Sequence, residues 1–340
     1  MAAILVGPVR AMARRLGAVS LPGGRHVHKA ATPRLGGVAI LFGVLVPLSI
    51  LFNVDAGAAV ALRAESTRAI GIAVGGAFMC AIGFIDDVRG VRALYKLFAQ
   101  IAAATVAWMT GFRIESVHLP IIGDLSMGIF SYPVSTIWIV GIINAINLID
   151  GLDGLAAGVA IFAALTNFVV AYLAESTLVA LVMVALLGAT LGFLFHNFNP
   201  ARIFMGDSGS YFIGYVLATC AIIGSYQKAS TTVSILVPVL ALGVPILDTL
   251  FAIVRRFLER RPLFSPDRGH IHHRLLDMGL THRRVVLIIY GVSVAFTASG
   301  IAIALGRQWQ IGIALLSATV VLVALIKFVG YVEQINQSVR

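Results

Sequence analysis

Long apolar stretches separated by short polar clusters set the pattern of this chain. The apolar segments are Met1–Leu16, Leu35–Asn53, Thr67–Ile85, Leu94–Gly111, Tyr132–Ile149, Leu155–Leu173, Thr177–His196, Gly209–Tyr226, Thr232–Phe257, Arg284–Leu305 and Ile311–Val332. Segments of about 17–25 residues with few charges predict membrane-crossing helices. The alternation that a transmembrane barrel requires is absent. The pattern therefore predicts an all-α, polytopic membrane protein with about 10–11 transmembrane helices, forming a single integral membrane domain over 1–340. The first segment is the weakest: it crosses Arg10, Arg14 and Arg15, so it predicts a short, truncated or shallowly inserted helix. No signal-peptide cleavage pattern follows it. Pro238 and Pro245 inside Thr232–Phe257 predict a kink or break.

Composition agrees. Hydrophobic residues make up 59% of the 340 and charged residues 12%, with a mean hydropathy of +0.96. That excludes an ordinary soluble domain. Cys80 and Cys220 each lie in an apolar segment and read as small packed thiols, with no disulfide framework.

The net charge of +10 is distributed unevenly. Numbering the connections alternately puts twenty of the 25 Lys and Arg on one side; the other keeps Arg63, Arg68, Arg113, Lys228 and Arg307. The rich side is predicted to be cytoplasmic, with the plasma (inner) membrane as the location. The charge then reads as topology plus affinity for anionic lipid and phosphate. Nucleic acid is not an expected partner. The longest external loop, Phe112–Ser131, has a turn-rich pattern that predicts a short hairpin lid.

The same parity gathers the polar clusters on the cytoplasmic side. The densest is Asn144–Gly154, Asn-Ala-Ile-Asn-Leu-Ile-Asp-Gly-Leu-Asp-Gly. Polar groups this dense at the end of a span are costly unless they bind something. Helical spacing puts Asn144 and Asn147 on one face, with Asp150 a turn later. Asp86 and Asp87 end the third span; they read either as interfacial helix caps or as a hard-cation or general-base site. Lys96 opens the fourth span and either snorkels or neutralises a phosphate. Phe204–Ser210 carries Asp207 between two glycines at a helix start, where a carboxylate can cap the helix or hold a cation while backbone N–H groups hold phosphate. Pro266–His273 carries Arg268, His270, His272 and His273 in the longest cytoplasmic loop, and His26, His28 and Lys29 form a smaller basic patch. Without Cys, or a His pair at the i, i+4 spacing of a zincin, a basic loop facing phosphate is a better reading than zinc. Asp248, inside Thr232–Phe257, reads either as functional or as a hydrogen-bonded group at a helix break. Carboxylates and amides for a divalent cation, glycine turns for phosphate and Arg/His for anions, all on one membrane face, predict metal-assisted phosphoryl transfer to a lipid phosphate.

Asp86-Asp87, the Asn144 to Gly154 run, Phe204-Met-Gly-Asp207-x-Gly-Ser and Pro-Asp-Arg268-x-His270-Ile-His272-His273 together resemble the polyprenyl-phosphate N-acetylhexosamine-1-phosphate transferases, a superfamily that includes phospho-N-acetylmuramoyl-pentapeptide transferase. The resemblance runs from about Gly23 to Val332, with the motifs in the same order. The His-Ile-His-His loop is similar to the branch that uses UDP-N-acetylglucosamine.

The resemblance implies transfer of GlcNAc-1-phosphate from UDP-GlcNAc to undecaprenyl phosphate, releasing UMP and initiating cell-envelope polysaccharide synthesis. Another UDP-N-acetylhexosamine or UDP-MurNAc-pentapeptide is the alternative substrate. It implies Mg²⁺ as cofactor, with Mn²⁺ as a substitute, and it allows a homodimer. By the same resemblance Asp207 is the principal metal ligand, with Asn147 as companion. Asp86 and Asp87 are the lipid-phosphate base and a metal-proximal carboxylate. Asp150 and Asp153 serve nucleotide binding and catalysis, Asp153 at the uracil. Lys96 and Asn144 face substrate, and Arg268, His270, His272 and His273 meet the diphosphate or sugar. Both a single in-line displacement and a two-step route through an aspartyl intermediate suit this set. A CDP-alcohol phosphotransferase is disfavoured because Leu152 and Asp153 follow Asp150-Gly151. A transporter is disfavoured because the polar groups gather at one face rather than the midplane.

Overall fold

The structure, a computed structural model, describes residues 1–20, 31–55, 57–119, 123–224, 233–260 and 270–305. The described residues form an all-α membrane protein. In chain order the elements are α1 (Ala2–Arg15), the short strands β1 (Val19–Ser20) and β2 (Thr32–Pro33), α2 (Gly36–Phe52), α3 (Gly57–Ala64), α4 (Ser66–Arg89) and α5 (Ala93–Met109). Then come β3 (Ser116–Leu119), β4 (Gly123–Ser126), a 3-10 turn (Gly128–Phe130), α6 (Ser131–Ile149), α7 (Leu155–Leu173), α8 (Thr177–Asn197) and α9 (Gly206–Gly224). α10 (Val233–Ala241), α11 (Gly243–Leu258), α12 (Ile271–Asp277) and α13 (His282–Leu305) complete the described chain.

Each apolar segment predicted up to Leu305 overlaps a described helix, Thr232–Phe257 being divided between α10 and α11; Ile311–Val332 lies outside the described residues. Among the described residues five helices are long and apolar enough to cross a membrane: α4, α6 with its preceding turn, α7, α8 and α13. The bent pair α2 and α3 makes up to six. α1 has 14 residues, with Pro8 inside and Arg14 and Arg15 in its last turn, matching the expected short first helix. The predicted break falls at Leu242, between α10, which contains Pro238, and α11, which contains Pro245 near its start. The Phe112–Ser131 loop is the expected hairpin, β3 pairing antiparallel with β4 in the register Ser116 to Ser126.

α9 lies at the centre of the bundle, packed by α2, α4, α6 and α7. Its residues from Ser208 to Ile223 are buried on every side, as an all-round apolar helix must be. α4 approaches it along a stripe of glycines. A Cβ on Gly76 would press on Phe212, and one on Gly83 would overlap the backbone of Asp207 and Ser208. Small residues at a helix crossing let backbones meet, and here they bring the end of α4 onto the start of α9.

Candidate active site

The site grows from the first turn of α9. Gly206 has φ 73°, a left-handed conformation that glycine adopts without strain. It turns the chain so that the first N–H groups of α9 point at the end of α4. There the Asp87 carboxylate accepts two of them, Asp207 N–H at 3.0 Å and Ser208 N–H at 3.1 Å. An anion on these orphan donors also meets the positive end of the helix dipole. On the other side the segment after β2 clamps the same turn: Phe204 N–H donates to Pro33 O at 2.8 Å, and Gly36 and Gly37 N–H donate to Phe204 O and Met205 O at 2.9 Å each.

The side chain of Asp207 emerges from this clamp into a polar cluster. Its Oδ1 accepts from Asn147 Nδ2 at 2.8 Å. Its Oδ2 accepts from Tyr211 Oη at 3.1 Å and from Lys96 Nζ at 3.5 Å. The Lys96 ammonium also pairs with Asp86 Oδ2, and Asp86 Oδ1 accepts Val91 N–H at 2.7 Å. The Asp86 and Asp207 carboxylates thus both face the Lys96 ammonium. Asn147 Nδ2 donates to Ser210 Oγ as well, at 2.9 Å. Four helix ends therefore meet: the C-terminal ends of α4 and α6 and the N-terminal ends of α5 and α9.

Asp150 follows α6 and is half-buried beside this cluster. Burial, then the negative charges of Asp207 and Asp87, pushes its carboxyl up to about 8, with Arg34 opposing. Among the described residues four carboxylates share one ammonium and one guanidinium, an excess of hard anionic donors. That donor chemistry suits a hard divalent cation. Among the described residues no three His, Cys, Asp or Glu side chains form a ready cage. Mg²⁺ does not need one: it takes one or two carboxylates and completes its shell with water and substrate phosphate.

The other predicted positions are arranged around this centre. Asn144 is engaged with Gln100, donating to its Oε1 at 2.7 Å and to Val140 O at 2.8 Å. Asp153, 4% exposed, faces the α8–α9 connection, where its Oδ2 accepts Asn199 Nδ2 and Ala201 N–H at 3.0 Å each. Next to it Asn197 accepts Gly154 N–H at 3.0 Å and donates to Ile203 O at 2.9 Å. His272 packs its ring on Gly151, where a Cβ would overlap Nε2. Burial, with His273 and the other nearby histidines, pulls the His272 ring down to about 3, although the Asp248 carboxylate opposes this. The imidazole is therefore neutral at ordinary pH. His270 is paired with Asp248, and His273 lies against His272 at 4.3 Å between ring centroids. Arg268, His26, His28 and Lys29 lie outside the described residues.

Sequence reading missed Tyr211 and Gln100, and it included Ser210 in the Phe204–Ser210 cluster without giving it a role of its own. Tyr211 is one helical turn beyond Asp207, a spacing that was legible. Gln100 stands one turn beyond Lys96 and is only 1% exposed in a mainly apolar helix.

Comparison with known proteins matches residues 69–225, which hold the Asp86-Asp87, Asn144–Gly154 and Asp207 clusters, to the model of glycosyl transferase family 4. The chain is 38% identical over 307 residues to a probable undecaprenyl-phosphate N-acetylglucosaminyl 1-phosphate transferase of Bacillus subtilis, covering 90% of this chain and 83% of that one. It is 40% identical over 305 residues to decaprenyl-phosphate N-acetylglucosaminephosphotransferase of Mycobacterium tuberculosis, covering 84% and 75%. It is 32% identical over 304 residues to phospho-N-acetylmuramoyl-pentapeptide-transferase of Desulforudis audaxviator, covering 82% and 86%. With likeness of this extent along most of its length, the chain belongs to glycosyl transferase family 4 and is a membrane-embedded glycosyl-1-phosphate transferase.

Proposed function

We propose that this enzyme transfers N-acetylglucosamine 1-phosphate from UDP-N-acetylglucosamine to undecaprenyl phosphate and releases UMP, initiating a cell-envelope polysaccharide. The site faces the cytoplasm across the plasma membrane, as the Lys and Arg asymmetry argues. The observation that carries the reading is the Asp207 carboxylate held by Lys96, Asn147 and Tyr211 beside Asp86. Higher identity to the N-acetylglucosamine-phosphate transferases than to the muramoyl-pentapeptide enzyme supports the choice of sugar.

Asp207 would hold Mg²⁺, with Asn147 beside it and Asp86 and Asp150 within the same cluster. When bound, the ion neutralises charge that develops on the diphosphate. Among the described residues Lys96 supplies the side-chain ammonium of the cluster, and it would move from the carboxylates to the substrate phosphates. Asp86 is better placed than Asp87 to accept a proton from the lipid phosphate, because the Asp87 carboxylate already holds two backbone N–H groups. A lipid phosphate oxygen then attacks the sugar-bearing phosphorus, the bond from that phosphorus to the bridging oxygen breaks, and UMP leaves with the electron pair. The segment from Asn147 to Gly154, the end of α6 and the turn after it, and the His270–His273 segment lie on the nucleotide-sugar side.

Purified protein in detergent, supplied with undecaprenyl phosphate, Mg²⁺ and a panel of UDP-sugars, should release UMP fastest with UDP-N-acetylglucosamine. Undiminished release by Asp207→Ala would overturn the metal assignment. Faster release with UDP-MurNAc-pentapeptide would overturn the substrate.

A further inference from the structure

Asp248 takes no part in the chemistry above, yet it is 3% exposed within α11, just past the break at Leu242. Both of its oxygens are committed. Oδ1 accepts the backbone N–H of Ile271, the first residue of α12, at 2.8 Å. Oδ2 lies 2.8 Å from Nδ1 of His270, which is 5% exposed. A carboxylate only accepts, so the ring proton of His270 lies on Nδ1. The His270 ring stacks on His272, 9° from parallel at 5.8 Å between centroids. His272 in turn sits over Gly151 in the loop that follows Asn147. Its Nε2 is buried with no hydrogen-bond partner among the described residues. A continuous path thus runs from the interior of the broken span through two imidazoles to the edge of the site.

We propose that Asp248 is a positioning residue. By capping α12 and holding His270 with its proton on Nδ1, it fixes the seat of His272 on Gly151. That seat determines where the histidine loop meets the nucleotide-sugar. The inference rests on the reading of this loop as the nucleotide-sugar side.

Asp248→Asn is the discriminating variant. It preserves size and an acceptor for Ile271 N–H, but it turns a donor toward His270 Nδ1. ¹⁵N-histidine spectra should show the His270 proton moving from Nδ1 to Nε2. KM for UDP-N-acetylglucosamine should rise about ten- to a hundredfold, equivalent to losing one charge-assisted hydrogen bond. KM for undecaprenyl phosphate should stay at its wild-type value, and the melting temperature should fall by only a few degrees, the cost of exchanging a buried charge-assisted hydrogen bond for a neutral one. His270→Asn keeps a donor toward Asp248 and should raise KM for the UDP-sugar less than His270→Leu does. The double variant Asp248→Asn/His270→Leu should be no worse than His270→Leu.

The proposal is overturned by an unchanged KM in Asp248→Asn, by parallel losses in both KM values and in thermal stability, or by multiplied defects in the double variant. If Asp248→Asn does not fold, the ranking of the two His270 variants decides, equal defects overturning the proposal. Failure of the wild type to release UMP from UDP-N-acetylglucosamine would sink the substrate reading instead; the histidine spectrum would still decide the Asp248–His270 relation.

Discussion

Asp87→Asn tests whether the two adjacent carboxylates at the end of α4 do different work. In the structure Asp87 receives the N–H groups of Asp207 and Ser208 at 3.0 and 3.1 Å. Asparagine keeps one oxygen and turns an NH₂ toward the second donor. One charge-assisted hydrogen bond is lost, about 1.5–3 kcal/mol, together with up to about 1 kcal/mol of charge–dipole attraction at the start of α9. The sum is about 2–4 kcal/mol. At roughly 2–4 °C per kcal/mol for domains of a few hundred residues, the melting temperature should fall by about 5–15 °C. Asp86→Asn removes the charge that faces Lys96 but keeps an oxygen for Val91 N–H; it leaves α9 capped, and Lys96 retains Asp207. It should abolish UMP release with a smaller thermal shift. Fluorescence-detected unfolding in one detergent, run beside the UMP assay, measures both. A melting temperature for Asp87→Asn within about 1 °C of wild type, with a larger fall in Asp86→Asn, would refute the division of roles.

Lys96→Met leaves Asp86 and Asp207 without their ammonium, and UMP release should fall at least about a hundredfold; activity within threefold of wild type would remove Lys96 from the transfer. Chelation with EDTA should abolish release and added Mg²⁺ restore it, while Asp207→Ala should respond to neither; EDTA-insensitive release would discard the cation. Gly151→Ala would drive a methyl group into the His272 ring, destabilising by about 1–3 kcal/mol and raising KM for the UDP-sugar; an unchanged melting temperature and KM would mean that the ring is not seated there. Folded His272 takes no proton until about pH 3, against 6.5 for an ordinary histidine. Protons therefore favour the unfolded chain between those values. Stability is full above about pH 6.5 and declines toward pH 3, by at most roughly 1.4 kcal/mol per unit. His272→Phe should flatten that limb in pH-dependent melting curves; an unchanged slope would show that His272 is accessible to protons in the fold.

The long helices were legible because each carries its own signal, whereas the eight residues of α3 lay unpredicted between two apolar segments. α4, α7 and α8 announce themselves by length and apolarity, and Pro238 and Pro245 mark the α10–α11 break. α12 was not legible, for a physical reason. Its seven residues are too few to nucleate alone, and its N-terminal cap comes from Asp248, 23 residues earlier on another helix. The two-residue β1–β2 ladder depends equally on contacts from outside it: Pro33 O, at its end, receives the N–H of Phe204. Elements held by distant residues leave no local pattern.

For the candidate site, residue types were legible and partnerships were not. Asp86 and Asp87 are neighbours in sequence, but about 100° of helical rotation separates their side chains. One turns to Lys96 and the other to the N–H groups of α9. Asn144 and Asn147 share a face of α6, yet one meets Gln100 on α5 and the other Asp207 on α9. Which neighbour each meets depends on how closely the helices approach, and that is set by glycines such as Gly83 and Gly206, which carry no functional group. A carboxylate whose oxygens are filled by backbone N–H groups anchors a helix; one facing an ammonium remains free to exchange partners when a phosphate arrives. The chemistry of this cluster is therefore decided by the packing of α4 on α9.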